Sequence, residues 1–321
     1  MRRGLLHCAG LVAFAALWVG GAEPFDTPIA RLTVRVRDEE GTPVSGAKVT
    51  FTFRNARTGN GVPVTGLTNA TGEFAGEGSS DPKVGGRIQK DGYYSSGFPF
   101  VPFRDAQDGH WLPWNPTFET TLRPIGNPVA LYAKRVQVEI PDLDRPCAYD
   151  LERADWVAPY GKGRISDFVF TARRHSHDNA NYAVSVTLTF SNPFDGITKT
   201  ALPAVGRYSF FKWPREAPDR GFDGSVGMEM QVSSTSVTQN FEDSDAFFFR
   251  VRSVNSGGKL AAANYGKIRG GFRLDAINAK KTCIVIFTYY LNPESLNRNL
   301  EWNPKKDLLA ELKDEERPRD P

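Results

Sequence analysis

The sequence predicts an all-β protein made of two β-sandwich domains. Short segments alternate apolar and polar residues with a period of two, as in the stretch ARLTVRVRD that begins at Ala30. Turn-forming residues separate these segments about every eight to twelve positions, which is the spacing typical of sandwiches. The chain of 321 residues also contains 30 glycines and 22 prolines, a composition that favours turns over long helices.

The chain opens with a segment that is typical of an exported protein. Two arginines precede an apolar run from about Leu5 to Val19, and small residues follow as far as Ala22. This order predicts a secretory signal peptide over residues 1–22. A membrane anchor is the alternative, but the run is shorter than the roughly 20 residues that a span needs. We therefore expect a bacterial protein of the periplasm, cell surface or medium, with no transmembrane anchor in the mature chain.

The charge balance is nearly neutral. Lys and Arg number 40 and Asp and Glu 37 in the whole chain, and 38 and 37 once residues 1–22 are removed. Surfaces that bind nucleic acid are strongly basic. We therefore expect no nucleic-acid partner.

The first half begins with two strands joined by an acidic turn. Residues 30–37 and 47–53 each alternate apolar and polar side chains. Between them lie three consecutive acids, Asp38 to Glu40, followed by a glycine and a proline, which favour a turn. A calcium loop needs oxygen ligands at spaced positions, and consecutive acids do not supply them. The acidic triplet is therefore predicted to be a solvated hairpin turn.

Three short motifs follow one another in the first half. Residues 38–49 match D-x-x-G-x-P-x-x-G-A-x-V, residues 68–74 read TNATGEF, and residues 90–93 read KDGY. Together they resemble the carboxypeptidase regulatory-like domain, whose usual second motif has Asp where this chain has Asn69. Both residues make the same side-chain-to-backbone turn. The resemblance implies a seven-stranded transthyretin-like, Ig-like sandwich of the carbohydrate-binding-like fold over residues 30–135, with an accessory role. Its last strand is predicted at Asn127 to Lys134.

An aromatic-rich segment runs from Tyr93 to Trp114 with the sequence YYSSGFPFVPFRDAQDGHWLPW. Exposed rings can stack on the apolar faces of sugars, and the side chains of Asp105, Gln107 and Asp108 can form hydrogen bonds with sugar hydroxyls. The predicted ligand-binding residues are Tyr93, Tyr94, Asp105, Asp108, Trp111 and Trp114. The alternative is that the rings cover one end of the sandwich or pack against the second domain, because large aromatic residues are more often buried.

Residues 136–304 read as a second antiparallel β-domain. About eight alternating segments, one of them Gly206 to Phe211, are separated by turn signals such as SNPFDG. This pattern predicts a larger sandwich or a partly closed barrel. Residues 305–321 are rich in charge and are predicted to be a disordered tail.

Two cysteines, Cys147 and Cys283, lie outside the predicted signal peptide. A pair of cysteines in an exported protein can form a disulfide. The alternative is that Cys283, within the apolar run CIVIFTYYL, is a buried thiol.

The nearest approach to a metal motif is RRHSHDN, which contains His175, His177 and Asp178. Alternation on a strand would place both imidazoles on one face, but zinc needs a third ligand that the sequence does not indicate. A polar hairpin tip is the simpler interpretation, so no metal ligand and no cofactor are predicted.

These features favour a non-catalytic binding or scaffold protein whose partner is a carbohydrate or a cell-surface protein. The chain contains no phosphate-binding G-x-x-x-x-G-K-[ST] loop and no G-x-S-x-G elbow. The alternative is a polysaccharide-active hydrolase or lyase with its site in the second β-domain. Paired carboxylates for such a reaction could come from Asp150, Asp155, Asp167 and Glu229.

Overall fold

The structure is a computed structural model. It describes residues 27–55, 58–176, 178, 180–203, 206–242, 244–275 and 282–321. The predicted signal peptide, residues 1–22, lies outside these ranges. Within them, no helix is long and apolar enough to cross a membrane.

Nearly all of the regular structure is β-strand, which confirms the predicted fold class. The strands of the first half are β1 (Ile29–Arg37), β2 (Lys48–Arg54), β3 (Gly61–Leu67), β4 (Glu73–Ser79), β5 (Lys83–Gln89), β6 (Ser96–Pro102), β7 (Asp105–Gln107), β8 (His110–Leu112) and β9 (Thr117–Thr121). Those of the second half are β10 (Tyr132–Glu139), β11 (Cys147–Asp150), β12 (Asp155–Trp156), β13 (Phe168–Ser176), β14 (Tyr182–Thr189), β15 (Gly196–Thr200), β16 (Ser225–Val232), β17 (Val237–Gln239), β18 (Ala246–Ser256), β19 (Lys259–Asp275) and β20 (Ile284–Leu291). Two 3-10 turns, Pro304–Lys306 and Asp314–Glu316, follow.

The first half forms a sandwich of two sheets. In one sheet β1 pairs with β4 in antiparallel and with β9 in parallel orientation, and the other sheet has the order β3-β2-β5-β6. The apolar faces of β1 and β2 meet in one core, where Val34, Phe51 and Phe53 are almost completely buried. These seven strands make up the sandwich. The hairpin β7–β8 is an addition that joins the start of β1.

The second half forms a larger sandwich. A five-stranded sheet with the order β10-β20-β19-β18-β15 faces a six-stranded sheet with the order β12-β11-β13-β14-β16-β17. The core between the sheets is rich in aromatic rings. The Phe168 ring, for example, lies 5.0 Å from Phe249 and 6.0 Å from Phe287, measured between centroids. Of the two predicted forms, the structure therefore has the sandwich.

Two predicted strands differ from the structure. The segment Asn127 to Lys134 is not the last strand of the first sandwich, because the strand begins at Tyr132 and pairs with β20 of the second sandwich. The apolar alternation before Tyr132 instead reflects packing of Val129 and Leu131 against Trp302 and its neighbours.

The predicted strand at Gly206 to Phe211 belongs instead to a segment that covers the outer face of the five-stranded sheet. We call residues 206–222 the covering segment. Its aromatic residues Phe211 and Trp213 are buried against Phe248 and Tyr265. The apolar side chains of this segment are therefore buried because the segment packs on top of a sheet, and not because it is a strand within one.

The C-terminal residues, predicted to form a disordered tail, lie against the second sandwich. Glu316 forms an ion pair with Lys134 at 3.0 Å. The Asp320 carboxylate pairs with Arg269, and its backbone oxygen accepts a hydrogen bond from the Tyr290 hydroxyl. The charges that suggested a solvated tail have partners on the sandwich, so the prediction of disorder was wrong for this segment.

Candidate functional site

The hairpin β7–β8 is closed by a two-residue turn, Asp108-Gly109. Both residues have positive φ angles, 50° and 74°, as a type I′ turn requires. Asp tolerates this left-handed conformation better than most residues, and glycine adopts it freely. The start of β1 is fixed to the hairpin, because the Ile29 amide donates a hydrogen bond to the Gly109 oxygen at 2.8 Å.

The inner face of the hairpin is anchored by Trp111. The Trp111 indole N–H donates a hydrogen bond to the backbone oxygen of Ser80 at 2.7 Å. Its half-buried ring packs against the first core, with its centroid 6.5 Å from that of Phe103. The structure therefore places this predicted ligand-binding residue in an anchoring position, as the packing alternative expected.

The outer face of the hairpin carries polar and aromatic side chains. Gln107 pairs with His110 across the hairpin, and alternation places Asp105 on the same face. All three are exposed. The Trp114 ring, 43% exposed, meets the His110 ring edge to face at 4.8 Å. We call Asp105, Gln107, His110 and Trp114 the hairpin face.

The hairpin face offers several groups for hydrogen bonding. His110 Nδ1 lies 2.8 Å from the backbone oxygen of Asp108. Because a carbonyl oxygen only accepts, Nδ1 carries the hydrogen, and Nε2 of the neutral ring can accept one. The side chains of Asp105 and Gln107 have no hydrogen-bond partner among the described residues, so both are open to a ligand. Asp108 is exposed at the turn beside them.

The other two predicted residues lie at the far end of the sandwich. Tyr93 forms a bridge with Pro124 and lines an open groove of about 730 Å³. Since β1 has nine residues, its two ends are about 26 Å apart, so this groove is well separated from the hairpin face. The structure brings Asp105, Asp108, Trp111 and Trp114 together on one hairpin, and Tyr93 and Tyr94 are not part of it.

Tyr94 lies between the two sandwiches. Its ring stacks on Phe211 at 5.1 Å, and its hydroxyl donates a hydrogen bond to Glu301 at 2.8 Å. Glu301 is 1% exposed and also accepts hydrogen bonds from the amides of Gly126 and Asn127, at 2.8 and 2.9 Å. Burial, followed by the bond to Glu301, raises the pKa of Tyr94 far above its ordinary value. Tyr94 therefore joins the domains, as the packing alternative allowed.

The acidic triplet contributes to the same interface. Asp38 caps its own turn by accepting hydrogen bonds from the amides of Glu40 and Thr42. Glu39 is bound on both carboxylate oxygens, by Arg123 at 2.8 Å and by Arg215 of the covering segment at 2.7 Å. The triplet does form a turn, but the prediction that it is wholly solvated was wrong for Glu39.

Arg123 extends the interface into the second sandwich. Its Nη1 donates hydrogen bonds to the backbone oxygens of Phe211 and Trp213, at 2.9 and 2.7 Å. The side chain is only 5% exposed, and burial lowers its pKa despite the neighbouring Glu39 carboxylate. Arg123 therefore ties the end of the first sandwich to the covering segment through one buried cation.

Two of the four candidate catalytic acids converge, but on a half-buried arginine. Arg252 binds Asp167 through two hydrogen bonds of 2.8 Å each and lies 3.4 Å from Asp150. Both carboxylates are 1% exposed. Burial raises the pKa of Asp167. Burial also acts to raise the pKa of Asp150, but bonds from backbone amides outweigh it, so that pKa is lowered. This pair is enclosed by protein and organises loops of the second sandwich.

The remaining two acids do not join that pair. Asp155 accepts hydrogen bonds from the amides of Trp156 and Lys162, each at 2.8 Å, and so shapes the loop between them. Glu229 is exposed on β16. No geometry in the described part of the second sandwich therefore presents two accessible carboxylates from the predicted set.

His175 and Asp178 of the RRHSHDN motif lie at the end of β13 and in the turn that follows it. His175 is exposed, and Asp178 accepts hydrogen bonds from the amides of Ala180 and Asn181 at 2.7 and 2.8 Å. His177 lies outside the described residues. Among the residues that are described, no group of three or more His, Cys, Asp or Glu side chains could hold a metal ion.

The two cysteines are buried and free. Cys147 Sγ contacts the backbone oxygens of Asp142 and Arg145, both at 3.6 Å. Burial raises the pKa of Cys283 to about 12. The structure thus shows the buried-thiol alternative and not the disulfide.

Comparisons with known proteins add little to this geometry. No protein-family model and no curated protein matches the sequence. A hydroxyquinol 1,2-dioxygenase from Pseudomonas putida is similar in structure, with 15% sequence identity and a TM-score of 0.26. The matched region covers 31% of this chain and 58% of the dioxygenase chain. This chain therefore spans less than two thirds of that protein.

Two structural matches that cover more of this chain have lower sequence identities and TM-scores. The shaft pilin SpaA of Lactobacillus rhamnosus GG is 12% identical, with 74% of this chain and 92% of that chain covered and a TM-score of 0.21. A candidate carbohydrate-binding protein from Bacteroides uniformis is 10% identical, with 81% and 98% covered and a TM-score of 0.20. Likenesses this slight carry no argument about function. What the fold itself defines is an all-β protein of two joined sandwiches.

Proposed function

We propose that this chain is an exported, non-catalytic binding or scaffold protein that contacts carbohydrate through its hairpin face. The observation that carries the proposal is the different placement of two tryptophans three positions apart in the sequence. Trp111 is fixed to the sandwich by a hydrogen bond and by packing, whereas the Trp114 ring is 43% exposed beside His110. An aromatic surface held in place before binding loses little freedom when a ligand docks.

The chemistry of the face suits a sugar. A sugar ring has apolar C–H faces that can cover the Trp114 ring, and hydroxyl groups that both donate and accept. Asp105 can accept, Gln107 can do both, and His110 Nε2 can accept. Recognition by a few polar groups around an aromatic surface is the usual form of a small-ligand site.

The rest of the chain supports a scaffold that presents this face. Glu39 and Glu301 connect the first sandwich to the second through Arg123, Arg215 and Tyr94, so the sandwich that carries the hairpin face is held to the second one by ion pairs and hydrogen bonds. The resemblance of residues 30–135 to the carboxypeptidase regulatory-like domain fits an accessory, binding role. The segment 1–22 has the pattern of an export signal, which supports a location outside the cytoplasm.

The proposal can be tested by the effect of soluble oligosaccharides on the thermal unfolding midpoint. At least one saccharide should raise the midpoint of the wild type and of Phe194→Ala, a control that removes another exposed ring, 44% exposed. The same saccharide should leave the unfolding midpoint of Trp114→Ala unchanged. If no saccharide in a broad panel shifts the wild type, or if all three proteins respond alike, the carbohydrate contact is refuted.

A further inference from the structure

A row of two arginines and a threonine crosses the outer face of the five-stranded sheet. Arg135 of β10 pairs with Thr288 of β20, and Thr288 pairs with Arg269 of β19. The adjacent residues Val136 and Ile268 point into the core between the two sheets. Because side chains alternate along a strand, Arg135 and Arg269 point outward, with the Thr288 hydroxyl between them.

The C-terminal segment forms the other wall of a cavity above this row. The cavity has a volume of about 420 Å³, within the range of small-ligand pockets. Four arginines line it, Arg135 and Arg269 from the sheet and Arg317 and Arg319 from the segment. Arginine is the residue best suited to phosphate and sulfate groups, because its planar fork of N–H donors matches their oxygens.

The arginines of the cavity are only partly neutralised. The Arg135 guanidinium contacts the neutral Gln137 side chain at 3.5 Å, and neither Arg135 nor Arg319 has a carboxylate partner in the described part of the chain. Arg317 lies 3.9 Å from Asp314, whose side chain is fully exposed on the rim with Glu315. Two of the four cations are therefore available to a ligand.

Asp320 occupies the position that an anion would take on Arg269. Its carboxylate pairs with the Arg269 guanidinium. The segment does not depend on that pair alone, because the Asp320 backbone oxygen also accepts a hydrogen bond from the buried Tyr290 hydroxyl. A ligand anion can therefore replace the Asp320 side chain while the backbone of the segment stays in place.

We propose that this cavity binds a tetrahedral oxyanion, the phosphate or sulfate ester group of a sugar-sized molecule. Arg135 and the Thr288 hydroxyl donate hydrogen bonds to it, and Arg269 exchanges the Asp320 carboxylate for it. The site lies on the second sandwich and is independent of the hairpin face. Asp320 acts as an internal competitor that keeps Arg269 paired when the site is empty.

Isothermal titration of the full chain tests this site, with sodium phosphate and sodium sulfate as probes and sodium acetate as the planar comparison, at constant ionic strength. At least one tetrahedral anion should bind more tightly than acetate, and the stronger of the two distinguishes a phosphate from a sulfate ligand. Arg135→Gln should weaken binding about tenfold or more, the loss expected for a charged hydrogen bond. The control Arg104→Gln removes an exposed arginine of the first sandwich and should change nothing.

Asp320→Asn should change the affinity for the anion in the direction opposite to Arg135→Gln. It removes the competing charge but retains the backbone bond to Tyr290, so binding should tighten, by about threefold or more. Tightening also supports the proposal if Arg135→Gln fails to fold, as judged by circular dichroism. The proposal is overturned if neither anion binds better than acetate, if Asp320→Asn weakens binding or leaves it unchanged, or if Arg104→Gln loses as much affinity as Arg135→Gln.

Discussion

Glu39 and Arg215 connect the two sandwiches across 176 positions of sequence, with 2.7 Å between Glu39 Oε2 and Arg215 Nη1. The other Glu39 oxygen accepts a hydrogen bond from Arg123 at 2.8 Å. Glu39 side-chain exposure is 21% and that of Arg123 is 5%, so the bridge is shielded from water more than a surface ion pair is. An acid that the sequence places in a turn is thus a principal contact between the domains.

Replacing Glu39 with Gln should destabilise the protein. The variant leaves the Arg123 guanidinium buried without its counter-charge, which should lower the free energy of unfolding by about 2–3 kcal/mol. Urea denaturation at pH 7 measures the change. The matched control is Glu77→Gln, which breaks the exposed pair with Arg31, side chains 41% and 56% exposed, and should cost less than about 0.5 kcal/mol. Equal, small losses in both variants would contradict this role for Glu39.

Replacing Tyr94 with Phe tests the contact with Glu301. The variant retains the ring that stacks on Phe211 but leaves one hydrogen bond to a buried carboxylate unmade. Stability should fall by about 1–2 kcal/mol. Tyr160→Phe is the control, because that hydroxyl also bonds a carboxylate, Asp142, at 3.1 Å, but on an exposed side chain. If the control variant loses as much stability, burial does not strengthen the Tyr94 bond.

Lys267 should make stability depend on pH. It is completely buried among Phe211, Trp213 and Tyr290 and donates one hydrogen bond to the Leu300 oxygen at 2.9 Å. Burial lowers its pKa well below the ordinary 10.5. A lowered pKa means that the folded state loses stability, relative to the unfolded state, as pH falls below 10.5 and the unfolded lysine takes up its proton.

Lys267→Met isolates that effect. The methionine is of similar length and does not titrate, so the stability of the variant relative to wild type should be greatest at low pH and should decline as pH rises towards 10.5. Urea denaturation at several pH values from 6 to 10 measures this difference. Lys48→Met, at an exposed position where folding leaves the amine in water, is the matched control and should not reproduce this trend. A pH-independent difference for Lys267→Met would contradict a lowered pKa.

Thiol counting tests the state of the cysteines. In a chain that starts at Glu23, Ellman's reagent should detect two thiols in denaturant without any reductant, because Cys147 and Cys283 are free. The folded chain should react far more slowly, since both sulfur atoms are buried and burial raises both pKa values. Detection of thiols in denaturant only after reduction would show that the disulfide forms.

The sequence predicted the fold class from alternation, and the exceptions have physical reasons. Alternation of apolar and polar residues indicates which side chains are buried, but it does not indicate which part of the protein buries them. Gly206 to Phe211 therefore resembled a strand, although Phe211 belongs to a loop that packs on a sheet. Lys267 occupies a polar position on an outer sheet face, and only the folded chain shows that the covering segment buries it.

The candidate site was predictable as a segment but not residue by residue. The Asp108-Gly109 pair is a strong signal for a two-residue hairpin turn, and it could have located β7–β8 from sequence alone. Which tryptophan faces outward depends on the register of that hairpin, which places Trp111 opposite Ala106. His110 completes the outer face opposite Gln107 through the same register, and residue type alone does not single it out.

Carbohydrate binding by the hairpin face can be tested with a glycan-array screen of residues 23–321, run in parallel on wild type, Trp114→Ala and Phe194→Ala. We expect wild type and Phe194→Ala to bind the same set of glycans. Trp114→Ala should lose that binding without a lower unfolding midpoint, because the Trp114 ring is partly exposed and does not anchor the hairpin. Glycan binding that survives in Trp114→Ala, or no binding by the wild type, would contradict the hairpin face as the carbohydrate contact.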